Sequence, residues 1–199
     1  MARKRSLDGD QDVAEQILDR AAVLFYERGY GATSIRDLAE ATGISSSTLY
    51  HHYLNKQEIL YAVVHRFMRA FNVAIIPTLR DAQRSPAQRL DEAVRLHLEI
   101  SDARRAELLR VNHIRASLDE AQVRELTRLQ WAYQDAVKHV IEEGRAAGEF
   151  ATDDVDLATM ALLDMLNGVR AWFRHSGALS LNDVVARYTA MTRKMLAAT

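Results

Sequence analysis

The amino-acid sequence predicts an all-α protein of about nine helices. Only two prolines and eight glycines occur among the 199 residues, so few positions interrupt a helix. Alanine, leucine, glutamate and arginine, which have high helix propensity, are abundant. Apolar residues recur at spacings of three and four, the pattern of amphipathic helices. A chain of this length can bury a substantial core, as one compact unit or two small ones.

The composition also restricts the environment of the chain. Cysteine is absent, which excludes disulfide scaffolds and thiolate metal sites and favours a reducing cytoplasm. The charged N-terminus does not resemble a signal peptide. No apolar run approaches the roughly 18 residues of a membrane span, so we expect no membrane contact.

The first helix is predicted from about Asp12 to Arg28. Gly29 ends it, and Tyr30 can fold back as the apolar contact that often accompanies a glycine stop. The apolar positions of this helix recur at helical spacing and are Ile17, Ala21, Leu24 and Phe25.

A second helix of about two turns follows, with Thr33 as its N-cap. Ile35, Leu38 and Ala39 recur on one face of this helix. Gly43 stands just past its end, where the chain needs a left-handed residue, and only glycine takes that conformation without steric cost.

Ser45 caps a third, short helix, and Ile44 before it can close onto Leu49 as a hydrophobic staple. Two short helices joined by a tight turn form a helix-turn-helix, whose second helix enters the major groove of DNA. The pattern therefore predicts double-stranded DNA as the partner. The alternative is a helical hairpin that only packs, because turns ending in glycine are common in all-α proteins.

The outer face of this third helix carries short or flat hydrogen-bonding groups. No acidic residue occurs from Thr42 to Gln57, which suits a surface that meets phosphates. The Lys56 ammonium, beside a helix N-terminus, completes a predicted phosphate clamp. The candidate DNA contacts of this region are Thr33, Arg36, Ser45, Ser46, Ser47, Thr48, Tyr50, His51 and Lys56.

The net charge of the N-terminal region is not that of a typical DNA-binding domain. Residues 1–56 carry seven Lys or Arg against eight Asp or Glu, so positive surface has to be local. Arg3, Lys4 and Arg5 form a basic arm, expected to be disordered when free, that would reach a neighbouring groove or phosphate. A solvated tail without consequence is the alternative for this tripeptide.

The segment from Ile17 to Leu60 resembles the DNA-binding domain of TetR-family transcriptional repressors. Ser47 departs from the family pattern, which commonly has glycine there. The resemblance implies a DNA-binding domain over residues 1–56 and a ligand-binding and dimerisation domain over residues 57–199. The positions that carry it are Leu24-Phe25, Gly29-Tyr30, Thr33-Ser34-Ile35, Ala39, Gly43-Ile44-Ser45, Thr48-Leu49-Tyr50, His52, Tyr53 and Lys56.

Longer amphipathic helices follow. Asn55 caps the first of them, with Glu58 placed for a capping box and Leu54 able to staple onto Ile59. Pro77 should kink or end this helix. The predicted helices run from Asn55 to about Gln83, from Ser85 through Leu98, from about Ala103 to Ala116, from Asp119 to Ala147, and onward from Asp153 and Ser180.

The last two helices are apolar over more than one stripe, above all from Val155 to Phe173. Such a helix must be buried on two sides, of which one suits the core and the other a second subunit in a four-helix interface. The alternative is packing on internal helices. The TetR resemblance implies a homodimer, which would read an inverted-repeat operator. The expected interface residues are Leu162, Leu166, Val169, Phe173, Val184, Tyr188, Met191 and Met195.

The helices of residues 57–150 would enclose an effector pocket in such a protein. The aromatic candidates have plain core packing as their alternative, and the arginines have surface pairing with carboxylates. No histidine pair has metal-ligand spacing, so we predict no metal site. The candidate ligand contacts are Phe67, Phe71, His97, Arg110, His113, Trp131, Arg170, Trp172 and Arg174.

A weaker resemblance concerns the effector. The segments 141–144, 148–150, 172–174 and 177–180 resemble a TetR subgroup that controls the degradation of fatty acids, sterol rings or aromatic acids and often senses acyl-CoA thioesters. It implies a small hydrophobic or acyl-CoA-type inducer, which needs an apolar tunnel and cations for its phosphates.

These patterns favour a ligand-responsive repressor over an enzyme. No nucleophile with a base, and no cluster of metal ligands, shows catalytic spacing. An all-α scaffold or DNA-architectural protein without an inducer is one alternative, and a helical metal-dependent enzyme is another.

Overall fold

The computed structural model of the chain describes residues 2–107 and 114–197, with side chains from residue 12 onward in those ranges. Within this part of the chain there are eight α-helices and one short 3-10 helix, Arg115–Ser117, and no strand. The all-α prediction is confirmed. Two compact units form, of which the first comprises Met1–Phe67 with Arg104–Leu126 and the second Met68–Ala103 with Thr127–Thr199.

The first unit contains α1 (Ala2–Arg28), α2 (Ile35–Thr42), α3 (Ser46–His52) and the start of α4 (Lys56–Leu79). α1 begins well before the predicted start at Asp12. Arg3, Lys4 and Arg5 therefore belong to a helix, and the prediction of a disordered arm was wrong. The reason is that residues 2–8 contain neither glycine nor proline, so nothing in them stops a helix.

Apolar side chains of these helices form the core of the first unit. Gly29 follows α1 in the left-handed conformation, with φ of 88°. The Tyr30 ring then packs edge-on against Phe25, as predicted, with 5.3 Å between the ring centroids. The fully buried residues include Ile17, Ala21, Leu38, Leu49, Ile59 and Val63.

The second unit contains the remainder of α4, α5 (Pro86–Ala103), most of α6 (Glu120–Ala146), α7 (Val155–Trp172) and α8 (Leu181–Met195). α5 packs against both α7 and α8, and these two helices also contact each other. Arg89 is buried with them and donates from Nη1 to the carbonyl oxygen of Leu79 at 3.0 Å, at the end of α4. The core residues include Ile75, Leu98, Val140, Ile141, Leu162 and Leu196.

The caps of the later helices largely match their predictions. Asp119 caps α6, since its Oδ1 accepts from the backbone N–H of Gln122 at 2.8 Å. Ser180 caps α8 in a capping box with Asp183. α7 is capped by Asp154 and not by the predicted Asp153, because the Asp154 carboxylate is the one that accepts from a first-turn N–H at 2.9 Å.

The helix lengths differ from prediction at two places. α5 continues past Leu98 to Ala103, since nothing in that stretch interrupts it. Of the helix predicted over residues 103–116, residues 108–113 lie outside the described residues. The described residues 104–107 form a turn and Arg115–Ser117 a 3-10 helix, so the described part of this range is not one α-helix.

α4 is long and apolar enough, by length and composition alone, to cross a membrane, although no such segment was expected. Every stretch of 18 residues in this helix includes Arg66 and Arg69. The helix is therefore apolar only on average and contains no uninterrupted apolar run of that length. Val63 and Phe67 are buried within the protein, and core helices pass the same test. Pro77 lies in the last turn, and α4 ends two residues later, at Leu79, as predicted from the proline.

Candidate functional site

The turn between α2 and α3 is fixed by local hydrogen bonds. The Ser34 hydroxyl accepts from the Asp37 backbone N–H at 3.1 Å, and the Asp37 carboxylate accepts from the Ser34 backbone N–H at 2.7 Å. The Ser34 hydroxyl also donates to the Asp37 carboxylate at 2.6 Å, and this bond, together with that from the Ser34 N–H, lowers the pKa of Asp37. Ser34 is therefore the N-cap of α2, and the prediction of Thr33 was wrong. Gly43 ends α2 with φ of 71°, as predicted.

Thr33 has a different role from the predicted one. Its side chain is 1% exposed, and its hydroxyl donates to the carbonyl oxygen of Gly29 at 2.9 Å. This hydroxyl stabilises the loop between α1 and α2, so its side chain does not form part of the exposed surface that would meet DNA.

α3 presents a polar face of small and aromatic side chains. Leu49 faces the core and is fully buried, while the opposite side is exposed. Ser45 caps the helix, as predicted, by accepting from the Thr48 N–H at 3.0 Å. Its hydroxyl also lies 2.7 Å from that of Ser47 and 2.8 Å from that of Thr48. The exposed candidates on and next to α3 are Ser45, Ser46, Ser47, Thr48, Tyr50 and His51, and Arg36 is exposed on α2.

The ammonium group of Lys56 is engaged inside the protein. Its Nζ donates to the carbonyl oxygens of Tyr30 at 2.8 Å and Thr33 at 2.7 Å. It also lies 4.3 Å from the centroid of the Tyr30 ring, within range of a cation–π interaction. Two of its three N–H donors are thus used. The structure therefore contradicts the prediction of a free phosphate clamp and makes Lys56 a tie between α4 and the loop after α1.

The start of α4 matches its prediction only in part. Asn55 is the cap, because its Oδ1 accepts from the Glu58 backbone N–H at 2.9 Å. Leu54, predicted to close onto Ile59, is 80% exposed. Ile59 points into the core, so the predicted staple does not form.

Two of the predicted ligand contacts, Phe71 and His97, lie close together in the second unit, beside Tyr133. The ring of Phe71 meets that of His97 edge-on, with 5.1 Å between centroids. His97 Nδ1 lies 3.0 Å from the hydroxyl of Tyr133, and both residues are buried. Burial, and after it the positive charge of Arg170, lowers the pKa of His97 to about 3. Burial also raises the pKa of Tyr133. The pair is therefore neutral at physiological pH.

The other predicted ligand contacts are not gathered there. Phe67 is buried in the first unit, where the Arg104 guanidinium lies 5.4 Å from its ring centroid. Trp131 and Trp172 are 60% and 47% exposed, and Arg174 is exposed. Arg110 and His113 lie outside the described residues.

The predicted interface residues mostly face the core of their own chain. Five of them are buried within one chain, so the structure contradicts their assignment to the interface: Leu162, Leu166, Val169, Phe173 and Val184. Tyr188 is half-buried, and Met191 and Met195 are exposed. Apolar residues lie on both sides of α7, so their positions alone did not identify the outward side, which also carries the exposed Asp164 and Asn167.

The side of α7 that faces solvent carries its own apolar residues. Leu157 is 60% exposed and Met160 49% exposed, and Trp172 lies on the same side at the other end of the helix. Ala161 and Gly168 are exposed between them. We call these five residues the outer stripe of α7. Among the described residues, no group of three or more His, Cys, Asp or Glu side chains is arranged to hold a metal ion.

The neutral state of His97 makes a prediction about acid stability. In the unfolded chain His97 takes up a proton near pH 6.5, whereas in the native protein it does so only near pH 3. The contribution of His97 to the free energy of unfolding is therefore complete above pH 6.5. It falls by at most about 1.4 kcal/mol per pH unit as the pH drops from 6.5 toward about 3. Urea unfolding at pH 7.5, 6.5 and 5.5 measures this slope.

His97→Gln should flatten the dependence, because it removes the titrating group. His139→Gln is the matched control, since that histidine is exposed, and it should leave the slope unchanged. An unaltered slope in His97→Gln would show that other groups cause the acid sensitivity.

Comparisons with known proteins agree with this geometry. The family model described as "Bacterial regulatory proteins, tetR family" matches residues 17–63, and the "Tetracyclin repressor-like, C-terminal domain" model matches residues 83–196. The HTH-type transcriptional repressor KstR2 of Rhodococcus jostii is 30% identical over 192 residues, which cover 92% of this chain and 90% of that protein.

Solved structures share the fold over nearly the whole chain. The TetR-family regulator PfmR of Thermus thermophilus superposes with a TM-score of 0.82 at 30% identity, covering 92% of this chain and 97% of that one. AibR, in complex with isovaleryl coenzyme A and operator DNA, gives a TM-score of 0.83 at 22% identity, covering 94% and 100%. The chain belongs to the TetR family of bacterial regulatory proteins.

Proposed function

We propose that this protein is a ligand-responsive transcriptional repressor in the cytoplasm, which binds an inverted-repeat operator as a homodimer and leaves it when an effector binds. The observation that carries the proposal is the exposed face of α3, which is free of acidic residues and held in place by the Gly43 turn, the Ser45 cap and the buried Leu49. The relatives are named as transcriptional repressors, which agrees with this role.

The proposed DNA contacts follow from exposure. α3 enters the major groove, where Ser47, Thr48 and His51 offer donors and acceptors to base edges. Tyr50 and Arg36 lie at the margin of this surface and contact the phosphate backbone. Arg3, Lys4 and Arg5, at the start of α1, add positive charge for a neighbouring groove or phosphate. Residues 1–56 form the DNA-binding domain in this proposal, and residues 57–199 the ligand-binding and dimerisation domain.

Dimerisation supplies what one copy of this domain lacks. A single α3 of seven residues offers few base contacts, and residues 1–56 have no excess of positive charge. Two copies on adjacent half-sites multiply their affinities. The proposed interface is the outer stripe of α7 with the exposed Met191 and Met195 of α8, since apolar residues grouped on one side of a helix mark an interaction surface.

The proposed effector is a small hydrophobic molecule or an acyl-CoA ester. Phe71, His97 and Tyr133 form an apolar site with one neutral polar pair, which suits a carbonyl or thioester group better than a carboxylate. The charge of Arg170 acts on His97 and would provide a cation for an anionic part of the ligand. AibR, which shares the fold, holds isovaleryl coenzyme A.

Effector release is proposed to act through α4. This helix contributes residues to both units, because it begins beside the helix-turn-helix and continues to Leu79. An effector that favours a different position of α4 would change the distance between the two α3 helices in the dimer. It can do so only in proportion to its preference for the conformation that does not bind DNA.

Selection from random double-stranded DNA should return an inverted repeat if the proposal is correct. Met160→Glu in the outer stripe should then give a monomer by sedimentation and weaken binding to that repeat roughly 100-fold, because the second half-site no longer contributes. Trp131→Glu is the matched control, as Trp131 is equally an exposed apolar residue but lies on α6. A Met160→Glu protein that remains dimeric would reject the interface.

Acyl-CoA esters should release the protein from the selected repeat, while free coenzyme A should not. Isovaleryl coenzyme A and longer esters are the probes, with release followed by fluorescence anisotropy. Tyr133→Phe, which removes the polar partner of His97, should weaken the response while operator affinity stays unchanged. Failure of every ester would reject this effector class and leave the DNA-binding proposal to the selection experiment.

Replacement of Lys56 should separate positioning from phosphate contact. Lys56→Met should weaken operator binding by about tenfold, or ~1.4 kcal/mol, because the loop after α1 loses its tie. The slope of log Kd against log salt should not change, whereas a lost phosphate contact lowers its magnitude by about 0.9. Arg36→Gln, at an exposed cation, should lower this slope. If Lys56→Met lowered the magnitude of the slope as much as Arg36→Gln, Lys56 would contact a phosphate after all, as the sequence predicted.

A further inference from the structure

A cluster of charged residues in the first unit joins three separate parts of the chain. Arg66, on α4, lies at its centre: Nη1 is 2.6 Å from Oε2 of Glu15, and Nη2 is 2.8 Å from Oδ1 of Asp19, both on α1. The same Nη2 lies 3.4 Å from Oε2 of Glu107, which Arg104 also binds, from Nε to Oε1 at 2.6 Å. We call these five residues the Arg66 cluster.

The inner part of the cluster is shielded from water. The side chains of Arg66 and Glu107 are 21% and 14% exposed, whereas those of Glu15 and Asp19 are 56% and 69% exposed. Ion pairs on the surface contribute little, but charges that are partly desolvated interact more strongly and are less screened by salt. Although burial opposes it, hydrogen bonding to Glu15 and Asp19 raises the pKa of Arg66. Glu107 is therefore the most shielded carboxylate of the cluster, and its 3.4 Å contact with Arg66 is less screened by salt than a surface ion pair.

The cluster also reaches the end of the DNA-facing helix. Tyr53 directly follows α3 as its C-cap residue. Burial raises the pKa of its phenol, the charge of Glu15 raises it further, and the charge of Arg66 opposes both. α1, which carries Glu15 and Asp19, also packs against α2, and α2 packs against α3. A displacement at the cluster is therefore passed to α3 through packed helices.

Glu107 belongs to the segment that directly follows α5, 41 residues after Arg66 in the chain. α5 ends at Ala103, and Arg104 is the next residue of the chain. α5 also carries His97, about two turns before its end. A shift or twist at the end of α5 is passed along the chain to Arg104 and Glu107, and Glu107 contacts Arg66 directly.

We propose that Arg66 and Glu107 are positioning residues for DNA binding, and that the Glu107–Arg66 contact carries the state of α5 to α1 and α3. The proposal rests on the proposed function, and it adds a route that does not depend on movement of α4 as a whole. A neutral contact between Gln57 on α4 and Gln122 on α6, at 3.0 Å, is the competing route within the same unit.

The test is a double-mutant cycle on operator affinity. Glu107→Gln, which keeps the shape of the side chain, should weaken binding three- to tenfold although this residue is outside the DNA-binding domain. Arg66→Gln should weaken it as well, and the double variant should be no weaker than Arg66→Gln alone. Independent effects of the two changes, or an unaltered Glu107→Gln protein, would overturn the proposal, since coupled residues are non-additive.

Glu99→Gln is the matched control, because it breaks an ion pair with Arg95 within α5 itself. It should leave operator affinity unchanged. Gln122→Ala tests the competing route, and a loss of affinity there with none in Glu107→Gln would assign the coupling to that contact.

Hydrogen exchange tests the cluster without DNA. Glu107→Gln should raise the exchange rates of the α3 amides at least threefold while the midpoint of global unfolding remains that of the wild type. A lower midpoint with uniform exchange would mean that Glu107 only stabilises the fold. If no DNA sequence is selected by the wild-type protein, the proposed function fails, and the exchange result still decides whether Glu107 positions α3.

Discussion

The ammonium group of Lys56 holds the arrangement on which the rest of the first unit depends. α3 has only seven residues, too few to be stable as an isolated helix, so its orientation must come from its surroundings. Leu49 anchors one side of it. Lys56 fixes the other boundary by binding the carbonyl groups of Tyr30 and Thr33, which places the start of α2 relative to the start of α4. A point charge with several donors can satisfy two carbonyls at once, which no apolar residue could do.

Features that depend on neighbouring residues could be predicted from the sequence. The Gly43 turn and the caps at Ser45, Asn55 and Ser180 each rest on residues three or four positions apart, and their chemistry is local. Contacts in the interior of the site were harder to predict from the sequence. Lys56 meets Tyr30 from 26 positions away, and His97 meets Tyr133 from 36, so neither contact leaves a local signal.

The outward side of α7 could not be predicted from the sequence for a different reason. Helical periodicity identifies a buried face only when polar residues mark the opposite one. In α7 apolar residues lie on both sides, and Leu162 and Leu166 were assigned to the interface although they face the core. Only the packing of α5 and α8 against one side decides between them. The Arg66 cluster left no distinct pattern in the sequence either, because charged residues are common on all exposed helices.

The charge balance of residues 1–56 affects how strongly chromosomal DNA competes with the operator for this protein. Non-specific affinity for DNA comes almost entirely from neutralised phosphates, and residues 1–56, with seven basic and eight acidic residues, have no excess of positive charge to supply it. Bulk chromosomal DNA would therefore retain only a small share of the molecules that leave an operator. A repressor of this kind is free in solution soon after release, and its return depends on recognition of its own site and not on capture nearby.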